Sequence, residues 1–208
     1  MKYLFCIDED KDLERMQTGQ IESLIEDSDS VVTVSVGKHN QKEQILEALS
    51  TIEDEYIVFV PTNNLLVDKI NYKKIEDLAT YCKNNDFDYC RLRRLGASKI
   101  NTDSDIHVDT CAIFFLCPHV IKKDKMEQIV SKVSRNGPMF WLSLETTDLD
   151  GCFYFTFKDQ DNHKGFSYWV PSIMHTLTEI IDHNEKWSTS YINFNKKIVP
   201  LLGIVLKI

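Results

Sequence analysis

Three short apolar runs, each followed by an amphipathic run, make up the first 84 residues of the sequence. The apolar runs at 2–7, 31–36 and 56–60 have the length and β-branched content of buried strands. Apolar residues then recur at helical spacing over 11–26, 41–52 and 72–84. Parallel strands need crossover connections of this kind, so the pattern predicts an α/β fold with a mostly parallel sheet and helices on its faces.

The second half of the sequence is less regular. A fourth predicted strand at 89–95 ends the regular half; beyond it lie predicted strands at 112–116 and 152–157, predicted helices at 122–133 and 172–182, and a loop rich in Asn, Asp and Ser at 98–109. No linker, internal repeat or low-complexity tract separates the two halves. We therefore predict one domain over 1–208, with a regular half at 1–97 and a mixed half at 98–208.

Charge and hydropathy exclude several classes of protein. The 32 acidic residues outnumber the 24 basic residues, which argues against binding to a nucleic-acid backbone. The apolar runs are shorter than the roughly 20 residues of a membrane span, and the first residues do not form a secretory signal. The six cysteines form no CxxC pair and the histidines show no metal-ligand spacing. We expect reduced thiols, no histidine or cysteine metal site, and a cytoplasmic protein.

Ligands of parallel α/β sheets bind beyond the carboxyl ends of the strands. In this sequence those positions are 8–10, 37–40 and 61–64. Neither GxGxxG nor GxxxxGK[ST] is present, so the dinucleotide and P-loop fingerprints are both missing.

Several segments resemble one enzyme family. The run EYIVFVPTNNLLV at 55–67, the helix at 72–84 and the run FDYCRLR at 87–93 resemble the nucleotide-sugar half of GT-A-type glycosyltransferases. The run GPMFWLSLE at 137–145 resembles the turn that places a catalytic base, and 165–173 and 185–191 are similar to the closing segments of small viral and bacterial members. The resemblance implies a Rossmann-like, GT-A-like sheet, with a nucleotide-sugar-binding half at 1–97 and an acceptor-side half at 98–208.

The resemblance also implies the partners and the catalytic residues. The donor is a UDP- or GDP-linked sugar, and the acceptor is a hydroxyl of a glycan or glycoprotein. Glu145 is then the general base that deprotonates the acceptor, with Asp148 as a nearby alternative. A surface carboxylate is the structural alternative for Glu145.

The implied donor-binding residues come from both halves of the chain. Carboxylates after the first strand contact the base and ribose, polar groups after the third strand contact the diphosphate, and basic groups neutralise its charge. These residues are Asp8, Asp10, Thr62, Asn63, Asn64, Arg91, Arg93, His163 and Lys164. The alternatives are capping of the first helix by the two aspartates and structural ion pairs for the arginines.

One feature departs from the family pattern. The family holds Mn²⁺ or Mg²⁺ with paired acids after the third strand, whereas this sequence has Thr62, Asn63 and Asn64 there. Neutral oxygens bind these cations poorly, because hard cations prefer anionic oxygen. Three alternatives stay open: a carboxylate supplied by Asp68, neutralisation of the diphosphate by basic side chains without metal, and a non-catalytic protein that serves as a binding module or scaffold.

Overall fold

Four helices are present in the part of the chain that the structure, a computed structural model, describes. The described residues are 1–37, 39–62, 64–66, 70–92, 106–110, 118–134, 136, 140, 144, 152–157 and 176–178. The helices are α1 (Lys11–Leu24), α2 (Gln41–Ser50), α3 (Tyr72–Asn84) and α4 (Lys123–Lys132), and a short 3-10 helix covers Ser28–Ser30.

The described strands form one large mixed sheet and one small pair. They are β1 (Tyr3–Asp8), β2 (Val31–Val36), β3 (Tyr56–Val60), β4 (Asn64–Leu66), β5 (Tyr89–Arg91), β6 (Ile106–Thr110), β7 (His119–Lys122), β8 (Cys152–Phe157) and β9 (Thr176–Thr178). The large sheet has the order β2-β1-β3-β7-β5-β8-β6, and β4 pairs with β9. β1 is parallel to β2 and β3, and β5 is parallel to β8, whereas β7 is antiparallel to β3 and β5, and β6 is antiparallel to β8.

The helices cover both faces of this sheet. Alternate residues of β1 and β3 point to opposite faces, because successive side chains of a strand alternate. On one face Leu4 and Phe59 pack with Ile45 and Leu49 of α2 and with residues of α4. On the other face the neighbouring strand residues pack with Ile21 of α1 and with residues of α3. The two layers of helices explain why these strands are apolar throughout instead of alternating with polar residues.

The structure confirms the α/β class and the sheet covered by helices. It corrects the expectation that this sheet is mostly parallel. The predicted elements at 31–36, 56–60, 72–84 and 152–157 have the predicted bounds, and the other elements of the first half differ only at their ends. The sheet is nevertheless mixed, since β6 and β7 run against their neighbours. Antiparallel pairing places the second half on the same sheet as the first.

Three predictions about individual segments are wrong or incomplete. The predicted helix at 172–182 is wrong over β9, which pairs antiparallel with β4. The predicted loop at 98–109 ends in β6, and β7 lies just before the helix predicted at 122–133. The predicted strand at 112–116 and residues 93–95 of the strand predicted at 89–95 lie outside the described residues.

Two findings within the described residues bear on the expectations from composition. Cys6, Cys82 and Cys90 are buried free thiols. No described helix has both the length and the apolar content needed to cross a membrane.

Candidate functional site

The carboxyl ends of β1, β2 and β3 meet at one edge of the sheet, because the three strands are parallel neighbours. The helix that follows β1 packs on one face of the sheet, and the helix that follows β2 packs on the other. The two connections therefore diverge, and such a divergence between adjacent strands opens a crevice for ligands. We call this region, formed by the described residues 8–10, 37, 39–40, 61–62 and 64, the carboxyl edge.

The first acidic segment of the carboxyl edge is held by its own hydrogen bonds. Asp10 caps α1: its carboxylate Oδ1 accepts hydrogen bonds from the backbone N–H groups of Asp12 at 3.0 Å and Leu13 at 3.1 Å. Asp8 Oδ1 in turn accepts from the backbone N–H of Asp10 at 2.9 Å. The structure thus gives Asp10 the capping role that the sequence left as an alternative.

Glu9, between these aspartates, reaches across to the end of β2. A Cβ atom placed on Gly37 would lie 2.9 Å from Glu9 Oε2 and 3.0 Å from Asn40 Oδ1. Gly37 donates its backbone N–H to Gln44 Oε1 at 2.9 Å, which fixes the turn into α2. The Glu9 carboxylate and the Asn40 amide oxygen therefore both lie beside Gly37, and a side chain there would displace them.

A buried glutamine joins the ends of β1 and β3. Gln17 of α1 is 2% exposed. Its Oε1 accepts a hydrogen bond from the backbone N–H of Asp8 at 3.0 Å, and its Nε2 donates to the backbone oxygen of Asn64 at 3.0 Å. One side chain thereby fixes the distance between the two segments that a ligand at this edge would touch.

The side chain of Asn64 is oriented by the loop before it. Asn64 is 6% exposed, and its Nδ2 donates to the backbone oxygens of Pro61 and Thr62, both at 3.0 Å. These two acceptors assign the amide nitrogen and leave Oδ1 on the other side. Oδ1 is buried and has no hydrogen-bond partner among the residues that the structure describes. It is an oriented acceptor at the end of β3.

The structure brings together only part of the residues predicted for the site. Asp8, Asp10, Thr62 and Asn64 lie at the carboxyl edge, and Arg91 is the last residue of β5, whose direction puts it at the same edge. The other predicted site residues, and Asp68, lie outside the described residues: Asn63, Arg93, Glu145, Asp148, His163 and Lys164.

The groups available for a divalent metal are few in the described part of the chain. No three His, Cys, Asp or Glu side chains of the described residues are close enough to hold a metal ion. After β3, Thr62 and Asn64 offer a hydroxyl and an amide oxygen, which suit Mn²⁺ or Mg²⁺ poorly. The described residues at this position therefore do not fit a metal on their own.

The titratable groups with clear perturbations lie elsewhere. Burial raises the pKa of the Cys6 thiol, so this cysteine stays a protonated core residue. Hydrogen bonding to Asp86 raises the pKa of Lys122, and burial raises the pKa of Tyr56 to about 12. Tyr56 and Lys122 are paired in register at the amino end of β3, away from the carboxyl edge. Tyr56 and Lys122 therefore support the sheet and lie outside the candidate site.

Three site residues were not among those predicted from the sequence. Glu9 and Asn40 lay within predicted ligand-binding segments but were not singled out, and Gln17 was taken as part of a helix. The available signal for Gln17 was its place on the apolar face of α1, next to Met16, where an uncharged polar residue needs a buried partner.

Comparison with known proteins gives little information about this chain. No protein-family model and no curated protein matches the sequence. A solved structure titled "Crystal Structure of A197 from STIV" is similar to it, with 15% sequence identity over 74% of this chain and 81% of that chain, and a TM-score of 0.40. Similarity at this level supports no conclusion about function.

Proposed function

We propose that this chain is a glycosyltransferase that binds a UDP- or GDP-linked sugar at the carboxyl edge and transfers the sugar to a hydroxyl of a glycan or glycoprotein. The proposal includes a Rossmann-like, GT-A-like fold. The observation that carries it is the divergence of the connections after β1 and β2 to opposite faces of the sheet, with Glu9 Oε2 and Asn40 Oδ1 beside Gly37 at that point. The sequence resemblance to GT-A-type enzymes supports the choice of ligand.

In this proposal the nucleotide part of the sugar donor is recognised by hydrogen-bond acceptors of the protein, because ribose hydroxyls and base N–H groups donate hydrogen bonds. The carboxylates of Asp8 and Glu9 follow β1 and are placed to accept such hydrogen bonds. Asn64 Oδ1 is a further oriented acceptor at the end of β3. Asp10 contributes indirectly, since its side chain caps α1 and so fixes the turn that carries Glu9.

The diphosphate needs a different environment, because carboxylates repel it. The proposal places it at the end of β3, beside Thr62 and Asn64, where the described side chains carry no negative charge. Basic side chains neutralise its charge in this proposal, since an Arg guanidinium can donate two parallel hydrogen bonds to phosphate oxygens. The candidates are the predicted ones: Arg91, Arg93, His163 and Lys164. No step of the proposed reaction depends on a metal.

Catalysis in this proposal needs a base and a stabilised leaving group. Glu145 accepts the proton of the acceptor hydroxyl as that oxygen attacks the anomeric carbon. The bond from the anomeric carbon to the diphosphate oxygen breaks, and the basic side chains stabilise the departing nucleoside diphosphate.

The first test is thermal unfolding in the presence of UDP- and GDP-linked sugars, each with Mn²⁺ and with a chelator. A ligand at about 100 times its Kd stabilises the native state by about 2.7 kcal/mol. For a chain of this length each kcal/mol raises the Tm by roughly 2–4 °C. We expect a rise of this order with one nucleotide class and little difference between metal and chelator. No rise with any donor overturns the proposal.

Matched variants locate the binding and the chemistry. Glu9→Gln removes a charge from the carboxyl edge and should weaken donor binding about tenfold, the lower end of the range for a hydrogen bond to a charged group. Glu22→Gln is the control, because Glu22 is an exposed acid of the same helix region without an ion pair to a described residue. Glu145→Gln should abolish transfer while donor binding is kept. Unchanged turnover in Glu145→Gln overturns the assignment of the base.

A second candidate is a non-catalytic binding or scaffold protein that keeps the fold. The neutral Thr62 and Asn64 after β3 favour it, because the resembled family has acids there. Donor binding without turnover, against a panel of glycan acceptors, is the result that selects this candidate over the transferase.

A further inference from the structure

A cavity lies at the opposite edge of the sheet. It has a volume of about 260 Å³ and is lined by Tyr3 at the start of β1, by Asp27 and Ser30 ahead of β2, and by Tyr72 and Glu76 of α3. Tyr3 and Asp8 are the two ends of β1, so about 16 Å separates this cavity from the carboxyl edge at 3.3 Å per residue. We call it the amino-edge cavity.

The charges around this cavity are unbalanced. Asp27, Asp29 and Glu76 supply three carboxylates, against two cations in the lining: the Lys2 side chain and the Met1 amino group, which pairs with Asp54 at 3.3 Å. Lys2 donates its ammonium to the backbone oxygen of Asp29 instead of a carboxylate. Asp27 and Glu76 form no ion pair with any described residue. The cavity therefore attracts a cation.

A tyrosine in the lining has a hydroxyl that makes no hydrogen bond to a described residue. Tyr3 is 2% exposed, and within the described part of the chain its hydroxyl makes no hydrogen bond. Burial is the main cause that raises the pKa of Tyr3, followed by the charges of Tyr72, Glu76 and Asp27. The phenol therefore stays protonated and lies in the field of the two carboxylates.

The walls of the cavity favour an organic cation over a metal ion. The rings of Tyr3 and Tyr72 meet edge to face, with centroids 5.5 Å apart and an interplanar angle of 81°. Aromatic rings attract ammonium groups and provide apolar surface for the carbon chain that carries them. A hard metal ion gains nothing from such walls, because it requires several oxygen ligands.

We propose that the amino-edge cavity binds a small primary alkylammonium ligand, with the ammonium group between Glu76, Asp27 and the Tyr3 hydroxyl and the carbon chain against the tyrosine rings. The ligand is distinct from the sugar donor, and the proposal is independent of the proposed function. Its success or failure is measured without any nucleotide present.

The test is calorimetric titration of the full chain with butylammonium and 1,4-butanediammonium chloride at constant ionic strength, with 1-butanol as the uncharged control and Mg²⁺ as the inorganic control. We expect saturable binding of the ammonium compounds and none of 1-butanol. Equal binding of 1-butanol, binding of Mg²⁺ alone, or no saturable binding of the ammonium compounds overturns the proposal.

Variants decide whether the binding occurs in this cavity. Glu76→Gln and Tyr3→Phe should each weaken butylammonium binding at least about fivefold, because each removes a charge or a hydrogen bond that contacts the ammonium group. Tyr3→Phe breaks no hydrogen bond within the described residues, so the fold is retained. Asp77→Asn is the charge control, because Asp77 is an exposed neighbour on the same helix that does not line the cavity. Equal weakening by Asp77→Asn would show a general charge effect and overturn the assignment.

Discussion

Replacing Gln17 by methionine tests whether one side chain holds the carboxyl edge together. Methionine keeps the length and approximate volume of glutamine but cannot replace either of its hydrogen bonds. The backbone N–H of Asp8 and the backbone oxygen of Asn64 each lose a buried partner at 3.0 Å. A buried group left without its partner costs about 1–3 kcal/mol, and added apolar burial returns about 0.5–1 kcal/mol. For the two groups together we expect the free energy of unfolding to fall by about 1–5.5 kcal/mol.

Gln20→Met is the matched control for this substitution. Gln20 lies on the same helix and is 6% exposed, but its side chain makes no hydrogen bond to a described residue. The same change there should alter stability by less than about 0.5 kcal/mol. Urea unfolding of both variants, with a shared m-value, measures the difference. A Gln17→Met value within about 0.5 kcal/mol of the Gln20→Met value refutes the reasoning.

A second substitution at Gln17 adds a pH signature. In Gln17→Glu the carboxylate can still accept from Asp8, but when ionised it cannot donate to Asn64. Burial raises the folded-state pKa of such a carboxyl above its unfolded value of about 4.3. The protonated form is therefore favoured in the folded state, and the stability deficit against wild type should grow as pH rises through this range. A deficit that shrinks with rising pH would contradict this account.

Three further changes test other parts of the structure. Gly37→Ala places a Cβ 2.9 Å from Glu9 Oε2, an exposed and flexible side chain, so unfolding free energy should change by less than about 1 kcal/mol while donor affinity in the thermal-shift titration falls. Asp86→Asn removes the 2.7 Å ion pair with Lys122, whose hydrogen bond lowers the pKa of Asp86. The Tm of the variant should therefore differ from that of wild type above about pH 4, and the difference should disappear as pH falls through the lowered pKa. Leu49→Ala at a fully buried position should cost about 2–5 kcal/mol in urea unfolding.

The elements that could be predicted from the sequence are those whose signal is local. The strands at 31–36 and 56–60 are β-branched or aromatic runs, and the helix at 72–84 begins after Asn71, whose side chain accepts from the backbone N–H of Lys74 at 3.1 Å. Each of these signals lies within a few residues of the element that it specifies. The parallel direction of β1, β2 and β3 then followed from the need for crossovers.

The elements that were missed depend on distant partners. β6 lies in a polar segment and is defined by its antiparallel pairing with β8, more than forty residues later. β9 has apolar residues at helical spacing around it, yet it pairs with β4, more than one hundred residues earlier. Tertiary pairing overrides local propensity in strands this short, because three residues carry too little pattern to specify a state.

The candidate site was predictable only as a location. The carboxyl ends of the strands could be placed at one edge from the order of elements alone. The contacts within the edge could not, since Gln17 and Asn64 are 47 residues apart in sequence and the capping role of Asp10 depends on the first turn of α1. The sequence thus predicted which residues lie at this edge. The structure was needed to tell the residues that stabilise the edge from those that could bind a ligand.

Asn64 bears directly on the choice between an active enzyme and a degenerate one. Its Nδ2 donates to the backbone oxygens of Pro61 and Thr62, which an aspartate at this position could not do. The amide therefore stabilises its own loop, a role that an aspartate in its place would not have. The same bonds leave Oδ1 buried without a partner among the described residues, and an unmet buried acceptor costs about 1–3 kcal/mol. A ligand hydroxyl or N–H placed there would recover that free energy, which favours a site adapted to bind without metal over one that has lost its ligand.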